Sequence, residues 1–308
     1  MRIVNNITAL NAHRQYGLNN RNIGKNVEKL SSGYRVNRAA DDAAGLAISE
    51  KMRSQIRGLN MASKNSQDAV SLVQTAEGGM QAIQNILQRA RELAVQSAND
   101  TNQNTVDRQA IQLEVDQLIE EIDQIANTTE FNKMKLLNGF GTASTTSGST
   151  KAIQGSVFGT SAGGVIQAGA NEGQEMRIFI NDMTASGLGV AGLISGFGIS
   201  NGSIASVGIG GVALQTMASA AIKHFDEALN RVSLERARLG AYQNRLEYKI
   251  ENLDNQAENV QASESRIRDV DMAKMMTEFT KNNILFQAST AMVAQANALP
   301  QGVLQLLG

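Results

Sequence analysis

Phe225, Val232, Leu239, Leu246, Leu253, Val260 and Ile267 fall on every seventh residue without a miss. An apolar period of seven held over that distance is the seam of a coiled coil, because it keeps one face of a long helix turned toward a partner. The accompanying positions mix Ile222, Leu229, Ile250 and Ala257 with the polar Arg236, Gln243 and Glu264. Polar residues in a seam fix register at some cost in stability. A second run, Leu59, Ala62, Ser66, Ala69, Val73, Ala76, Met80, Ile83, Leu87, Ala90, Ala94 and Ser97, keeps a strict three–four alternation. Its alternate positions are nearly all alanine, so a partner helix can approach closely. Leu72, Ile86 and Leu93 add a second apolar flank near its end, which predicts more than one neighbour there. A helix from Asp42 to Asn99 would be about 85 Å long at ~1.5 Å per residue, a rod.

After the polar turn NDTNQNT, Ile111, Val115, Leu118, Ile122 and Ile125 repeat the spacing in a shorter helix. Glu114, Asp116, Glu120, Glu121 and Asp123 occupy its other faces and read mainly as solvated charge. Side-by-side packing of these helices makes both ends of the chain build one bundle. The fold class expected is mainly α, a long-helix coiled-coil bundle with a small β-hairpin region in its middle.

That middle, 138–213, changes character. It is rich in Gly, Ser, Thr and Ala and nearly free of charge. MRIFIND (Met176–Asp182), preceded by VIQAGANEGQ, reads as one arm of a hairpin, and the remainder as loops with short β pieces or a tolerant surface insert.

The extreme ends differ again. Residues 1–34 carry a helical apolar pattern through Ile3, Ile7, Leu10, Ile23, Val27, Leu30 and Tyr34, with SSG at 31–33 as a C-cap. They also hold seven asparagines, which are poor in a free helix. In 272–308, Met272, Met276, Phe279, Phe286 and Val293 share one stripe. Each arm is amphipathic yet weak alone, so both are expected to fold only against something else.

Composition removes most other functions. The net charge of −1 over 308 residues gives no general attraction to nucleic acid. With no Cys there is no disulfide, thiolate nucleophile or thiolate metal site. His13 and His224 are the only histidines, no H-E-x-x-H occurs, and GVAGLISGFGISNG does not match a phosphate loop. No enzyme, cofactor or metal is expected. The N-terminus has no apolar signal core and no run reaches membrane-span length, so export by a cleavable signal and membrane insertion are not expected. Arg2, Arg14, Arg21, Lys25, Lys29, Arg35 and Arg38 against Glu28 could attract a membrane or nucleic acid. Lacking interleaved aromatics, the run reads rather as a solvated or subunit-facing surface. Asp41 and Asp42, before AAGLAISEKM, could be an acid/base or metal pair. An Asp N-cap, with both charges at the positive end of a helix, is the simpler account.

The blocks SSGYRVNRAADDAAGLAISEKMRSQIRGL, SQDAVSLVQTAEG, QRARELAVQSAN, ESRIRDVDMAKMM and ILFQASTAMVAQANALPQGVLQLL resemble bacterial flagellin over roughly 1–140 and 214–308. The resemblance implies an inner D0 coiled coil of arms 1–34 and 272–308, with 35–45 as a spoke. A D1 rod of 46–137 and 214–271 follows, with 138–213 as the middle and no large D2 or D3 insert. It further implies a subunit exported unfolded by the flagellar type III route, which polymerises under a cap into an extracellular filament. Implied partners are further copies of itself, an export chaperone holding the C-terminal arm, and the cap and hook–filament junction proteins. A host Toll-like receptor is implied to read Arg89, Leu93 and Glu114, and a cytosolic flagellin sensor Val303, Leu304, Leu306 and Leu307. For Leu93 and the tail leucines, packing in the filament is the plainer role. Ile3, Ile7, Leu10, Met276, Phe279, Phe286 and Val293 are the expected assembly stripe. TASTTSGST (142–150) offers hydroxyls for O-glycosylation, which some flagellins carry. The alternatives are a hook–filament junction protein, which shares terminal coiled coils, and a secreted coiled-coil adhesin that does not polymerise.

Overall fold

In the computed structural model, residues 6–99, 105–140, 164–191 and 211–307 are described. The elements in chain order are α1 (Ile7–Ser32), α2 (Ala43–Ser97), α3 (Thr105–Thr128), β1 (Glu130–Phe131), β2 (Met134–Lys135), β3 (Gly164–Gln167), β4 (Glu175–Ile178), α4 (Ala185–Leu188), α5 (Gly211–Arg268) and α6 (Met272–Leu307). The chain divides into two compact units, 1–57 with 256–308 and 58–255.

The larger unit is built on the two long heptad patterns. All twelve seam positions of α2 from Leu59 to Ser97 are buried, as are Phe225, Val232, Leu239 and Leu246 of α5. Alanines at Ala62, Ala69, Ala76, Ala90 and Ala94 leave room for neighbouring helices, and Met80, Ile83 and Leu87 fill the wider space between them. Arg236 answers for the polar seam positions. Its guanidinium reaches Gln84 Oε1 at 2.5 Å and Glu77 Oε1 at 3.3 Å on α2, so it ties the register of the two helices.

On α3 the buried line is Ile111, Val115, Ile119, Ile122 and Ala126, with Leu118 and Ile125 flanking it. The sequence pattern alone had put Leu118 and Ile125 on the line itself. A one-residue shift is what a straight 3.6-residue helix does to a 3.5-residue pattern. Its acidic faces are not merely solvated. Glu114 pairs with Arg89, and Asp123 Oδ1 accepts from the Ala185 amide at 2.7 Å.

The described part of the middle, 164–191, is more deeply packed than a tolerant insert would be. β3 and β4 pair antiparallel in the register Val165↔Arg177 and Ile166↔Met176, so the strand ends at Ile178 rather than running to Asp182. Beyond it Ile180, Met183, Ala185, Leu188 and Val190 are all buried. Two amides of this stretch, Ile180 and Met183, donate to the Phe140 and Leu137 carbonyls at 3.0 and 2.8 Å. The Asn181 amide and side chain donate to the buried Glu235 carboxylate at 3.2 and 3.0 Å. A further hairpin, β1–β2, was not expected. It turns through Asn132 and Lys133, both at positive φ, 50° and 64°. It lies so near α2 that a Cβ on Gly79 would come within 2.8 Å of Leu137 and 2.9 Å of Thr129. Segment 142–150 lies outside the described residues.

In the smaller unit α1 and α6 run antiparallel. Asn6 Nδ2 donates to the Ala296 carbonyl at 2.8 Å, and Asn19 Nδ2 to that of Leu285 at 3.3 Å. Asn6 caps α1 by accepting from the Ala9 amide, and Gly33 ends it in the left-handed conformation (φ 72°) with its amide on the Lys29 carbonyl.

Candidate assembly surfaces

The spoke is built first from its acids. Asp42 precedes α2 and caps it, its Oδ1 accepting from the Gly45 amide at 2.9 Å. Asp41 does something else: its Oδ2 accepts from the Asn37 and Arg38 amides at 3.3 and 3.2 Å, closing the 37–41 turn. The Arg38 amide, foremost, holds the Asp41 carboxyl below its ordinary value of 3.8, with help from Asn37, Lys29 and Lys25. One acid starts a helix and the other shapes the turn before it.

The two chain segments that join α1 to α2 and α5 to α6 are stitched together beside this turn. The Arg35 amide donates to the Arg268 carbonyl at 2.7 Å and the Val270 amide to that of Gly33 at 3.0 Å. Two guanidinium groups approach the Tyr34 ring, Arg268 at 4.8 Å and Arg53 at 5.5 Å from its centroid. Arg53 also donates to the Tyr34 hydroxyl at 2.9 Å and pairs with Glu264 at 3.1 Å, while Arg268 pairs with Glu50 at 2.6 Å. The Arg268 hydrogen bond, above all, draws the Glu50 carboxyl below its ordinary range. This cluster was not legible in the sequence, because its members come from three separate stretches of chain, 33–35, 50–53 and 264–270.

The arms present two unlike faces. Facing each other are Ala9, Ala12, Tyr16, Asn19, Ile23, Asn26 and Leu30 on α1, and Met275, Phe279, Asn282, Phe286, Ser289, Val293 and Ala296 on α6, all buried or half-buried. Tyr16 packs on Phe286 with ring centroids 4.9 Å apart. Several large apolar side chains lie outside this seam. Leu10 is 65% exposed, Ile284 61% and Ile7 56%, and Leu18, Met276, Leu285 and Met292 are exposed too. The structure therefore divides the expected stripe: Phe279, Phe286 and Val293 line the seam, while Ile7, Leu10 and Met276 do not. Met276, Ile284 and Leu285, with Thr277, Thr280 and Lys281, line a shallow groove on α6. Ile3 and the side chains of Val303, Leu304, Leu306 and Leu307 lie outside the described residues.

The third surface is on the larger unit. Arg89 donates through Nε and Nη2 to Glu114 Oε1 at 3.1 and 2.9 Å, and lies 3.4 Å from Glu92 Oε2. The Glu114 contact, first, raises the arginine's pKa further above its ordinary range. Arg91 pairs with Asp226 at 2.6 Å. Leu93 is not at this surface. It is 2% exposed and belongs to the core beneath. Among the described residues no group of three or more His, Cys, Asp or Glu is placed to hold a metal ion, and no helix is long and apolar enough to cross a membrane.

Comparison with known proteins fits this arrangement of ends around a middle. Residues 3–142 match the bacterial flagellin N-terminal helical region and residues 222–307 the bacterial flagellin C-terminal helical region. The chain is 52% identical to the flagellin of Bacillus subtilis (strain 168) and 47% identical to flagellin FlaB1 of Treponema pallidum (strain Nichols), each over the full length of both chains. Among solved structures, a putative flagellar hook-associated protein from Vibrio parahaemolyticus shares the fold alone. It is 16% identical with a TM-score of 0.55, covering 74% of this chain and all of that one.

Proposed function

We infer that this chain, which belongs to the bacterial flagellin family, is a structural subunit that polymerises with copies of itself into the flagellar filament and so serves motility. The observation that carries the mechanism is the outward apolar face of α1 and α6. Side chains such as Leu10, Ile284 and Met292 gain about 1.5–3 kcal/mol each on full burial, and only a neighbouring subunit can bury them. Arms 1–34 and 272–308 form the inner coiled coil, 35–45 the spoke, 46–137 with 214–271 the rod, and 138–213 its middle. The chain is a structural protein and not an enzyme. It leaves the cell unfolded by the flagellar type III pathway, with a chaperone on its C-terminal arm, and joins the filament beneath a cap and beyond the hook–filament junction.

A host Toll-like receptor reads the rod at Arg89 and Glu114, two exposed charges already fixed by their mutual hydrogen bonds. Leu93 acts from below by packing the helix that carries Arg89. The cytosolic sensor reads Val303, Leu304, Leu306 and Leu307 in the tail. Full-length identity to flagellins favours the filament over the junction protein, and the exposed arm faces favour a polymer over an isolated adhesin.

Removal of either arm tests the assembly reading. Chains lacking 1–34 or 272–308 should remain helical and melt cooperatively, because the core of the larger unit lies wholly outside both. Electron microscopy should show no filaments from either. Normal filaments from a truncated chain would exclude the arms as the assembly element.

A further inference from the structure

We propose that the methionines of α6 are an oxidative modification site: a peroxide converts them to sulfoxides in the free subunit, and the oxidised subunit is kept out of the filament. The inference rests on the filament reading above and concerns which subunits can enter it. The chain has 12 methionines and no cysteine. The thiolate that a peroxide ordinarily meets first is therefore missing, and thioether sulfur is the soft nucleophile left. Exposure then decides which sulfurs react. Met80 and Met183 are buried in the core of the larger unit, whereas Met292 is 64% and Met276 48% exposed on α6.

The placement of these two gives the oxidation its consequence. Met276 directly follows the seam residue Met275, and Met292 directly precedes the seam residue Val293, so they lie on opposite flanks of the helix. Met276 shares the shallow α6 groove with Ile284 and Leu285. Met272 is exposed at the start of the same helix. With hydrogen peroxide, the Sδ lone pair attacks one peroxide oxygen. The S–O bond forms as the O–O bond breaks, sulfur loses two electrons, and the departing oxygen leaves as water. The sulfoxide is a strong hydrogen-bond acceptor where a thioether was apolar. Burying it against apolar side chains of a neighbour strands that acceptor without a donor. A sulfoxide on either flank of α6 therefore opposes the burial that assembly requires, while subunits already in the filament have these sulfurs covered.

The test treats the full chain with hydrogen peroxide, as monomer and as filament, and reads oxidation at each methionine by peptide mass spectrometry. In the monomer, Met276 and Met292 should oxidise at least about tenfold faster than Met80 and Met183, and in filaments they should be protected. Treated monomer should leave at least about tenfold more protein unassembled at equilibrium. Met272→Leu, Met275→Leu, Met276→Leu and Met292→Leu combined, which conserve volume, should make assembly indifferent to the treatment. Equal loss of assembly in that variant overturns the proposal and moves the damage to sulfurs such as Met61 and Met134, which are exposed on the larger unit. Met276→Gln with Met292→Gln, untreated, is the second arm. It should raise the unassembled fraction as oxidation does, and an unchanged fraction overturns the proposal. Failure of the untreated, unaltered chain to polymerise would instead defeat the filament reading. The order of oxidation is read in the monomer, and equal rates at Met276, Met292 and Met80 overturn the site by themselves.

Discussion

Arg89 is the residue where surface and packing meet. Its guanidinium is aligned by Glu114 on α3 and Glu92 one turn away, and it stays open to a partner. An arginine fixed in this way loses little freedom on binding, and such anchors often carry a large share of interface energy. Arg89→Ala should shift the receptor dose–response of the purified monomer at least about tenfold to higher concentration, with melting unchanged. Overlaying curves would remove Arg89 from the receptor surface. Leu93→Ala must be read differently. Leu93 is a core residue, so the substitution should cost about 2–5 kcal/mol of stability. Loss of signalling without loss of stability would show that its side chain is contacted directly.

At the scale of elements, legibility followed the length of the pattern. The α2 and α5 seams could be read residue by residue because seven-residue repetition over many turns leaves one arrangement of buried side chains. On α3, with fewer turns, the same reasoning shifted part of the buried line by one residue. In the arms it located amphipathic helices but mixed their two faces, because the apolar side chains there exceed what one partner can cover. Contacts between separate stretches, such as Tyr34 with Arg53 and Arg268 or Asn181 with Glu235, leave no periodic trace at all.

The β1–β2 hairpin was missed for a specific reason. Its strands are two residues each, and the turn signal Asn-Gly is replaced by Asn-Lys. Lys133 pays a steric penalty at φ 64° that glycine would not. Lys133→Gly should therefore stabilise the larger unit by about 0.5–1 kcal/mol, measured as a higher urea midpoint at unchanged slope. A lower midpoint would mean that the lysine side chain holds the turn in a way its conformation does not reveal.

For the whole molecule, function follows from a contrast in how the parts are stabilised. The larger unit has a continuous apolar core drawing on residues from Ala69 to Leu246. The arms have a seam that includes one buried amide, Asn26, and an apolar surface turned outward. Ordering them costs roughly 1–2 kcal/mol per residue of backbone entropy, which the seam alone offsets poorly and burial between neighbours offsets well. On the assembly reading proposed above, that contrast lets a subunit stay monomeric in solution and still lock into a polymer. Residue-resolved amide hydrogen exchange of the full chain, free and in filaments, tests this most directly. In the free chain, α1 and α6 should exchange at nearly unfolded rates while the buried seams of α2 and α5 are protected, and in filaments all four should be protected. Protection of α1 and α6 in the free monomer equal to that of the larger unit would contradict the account.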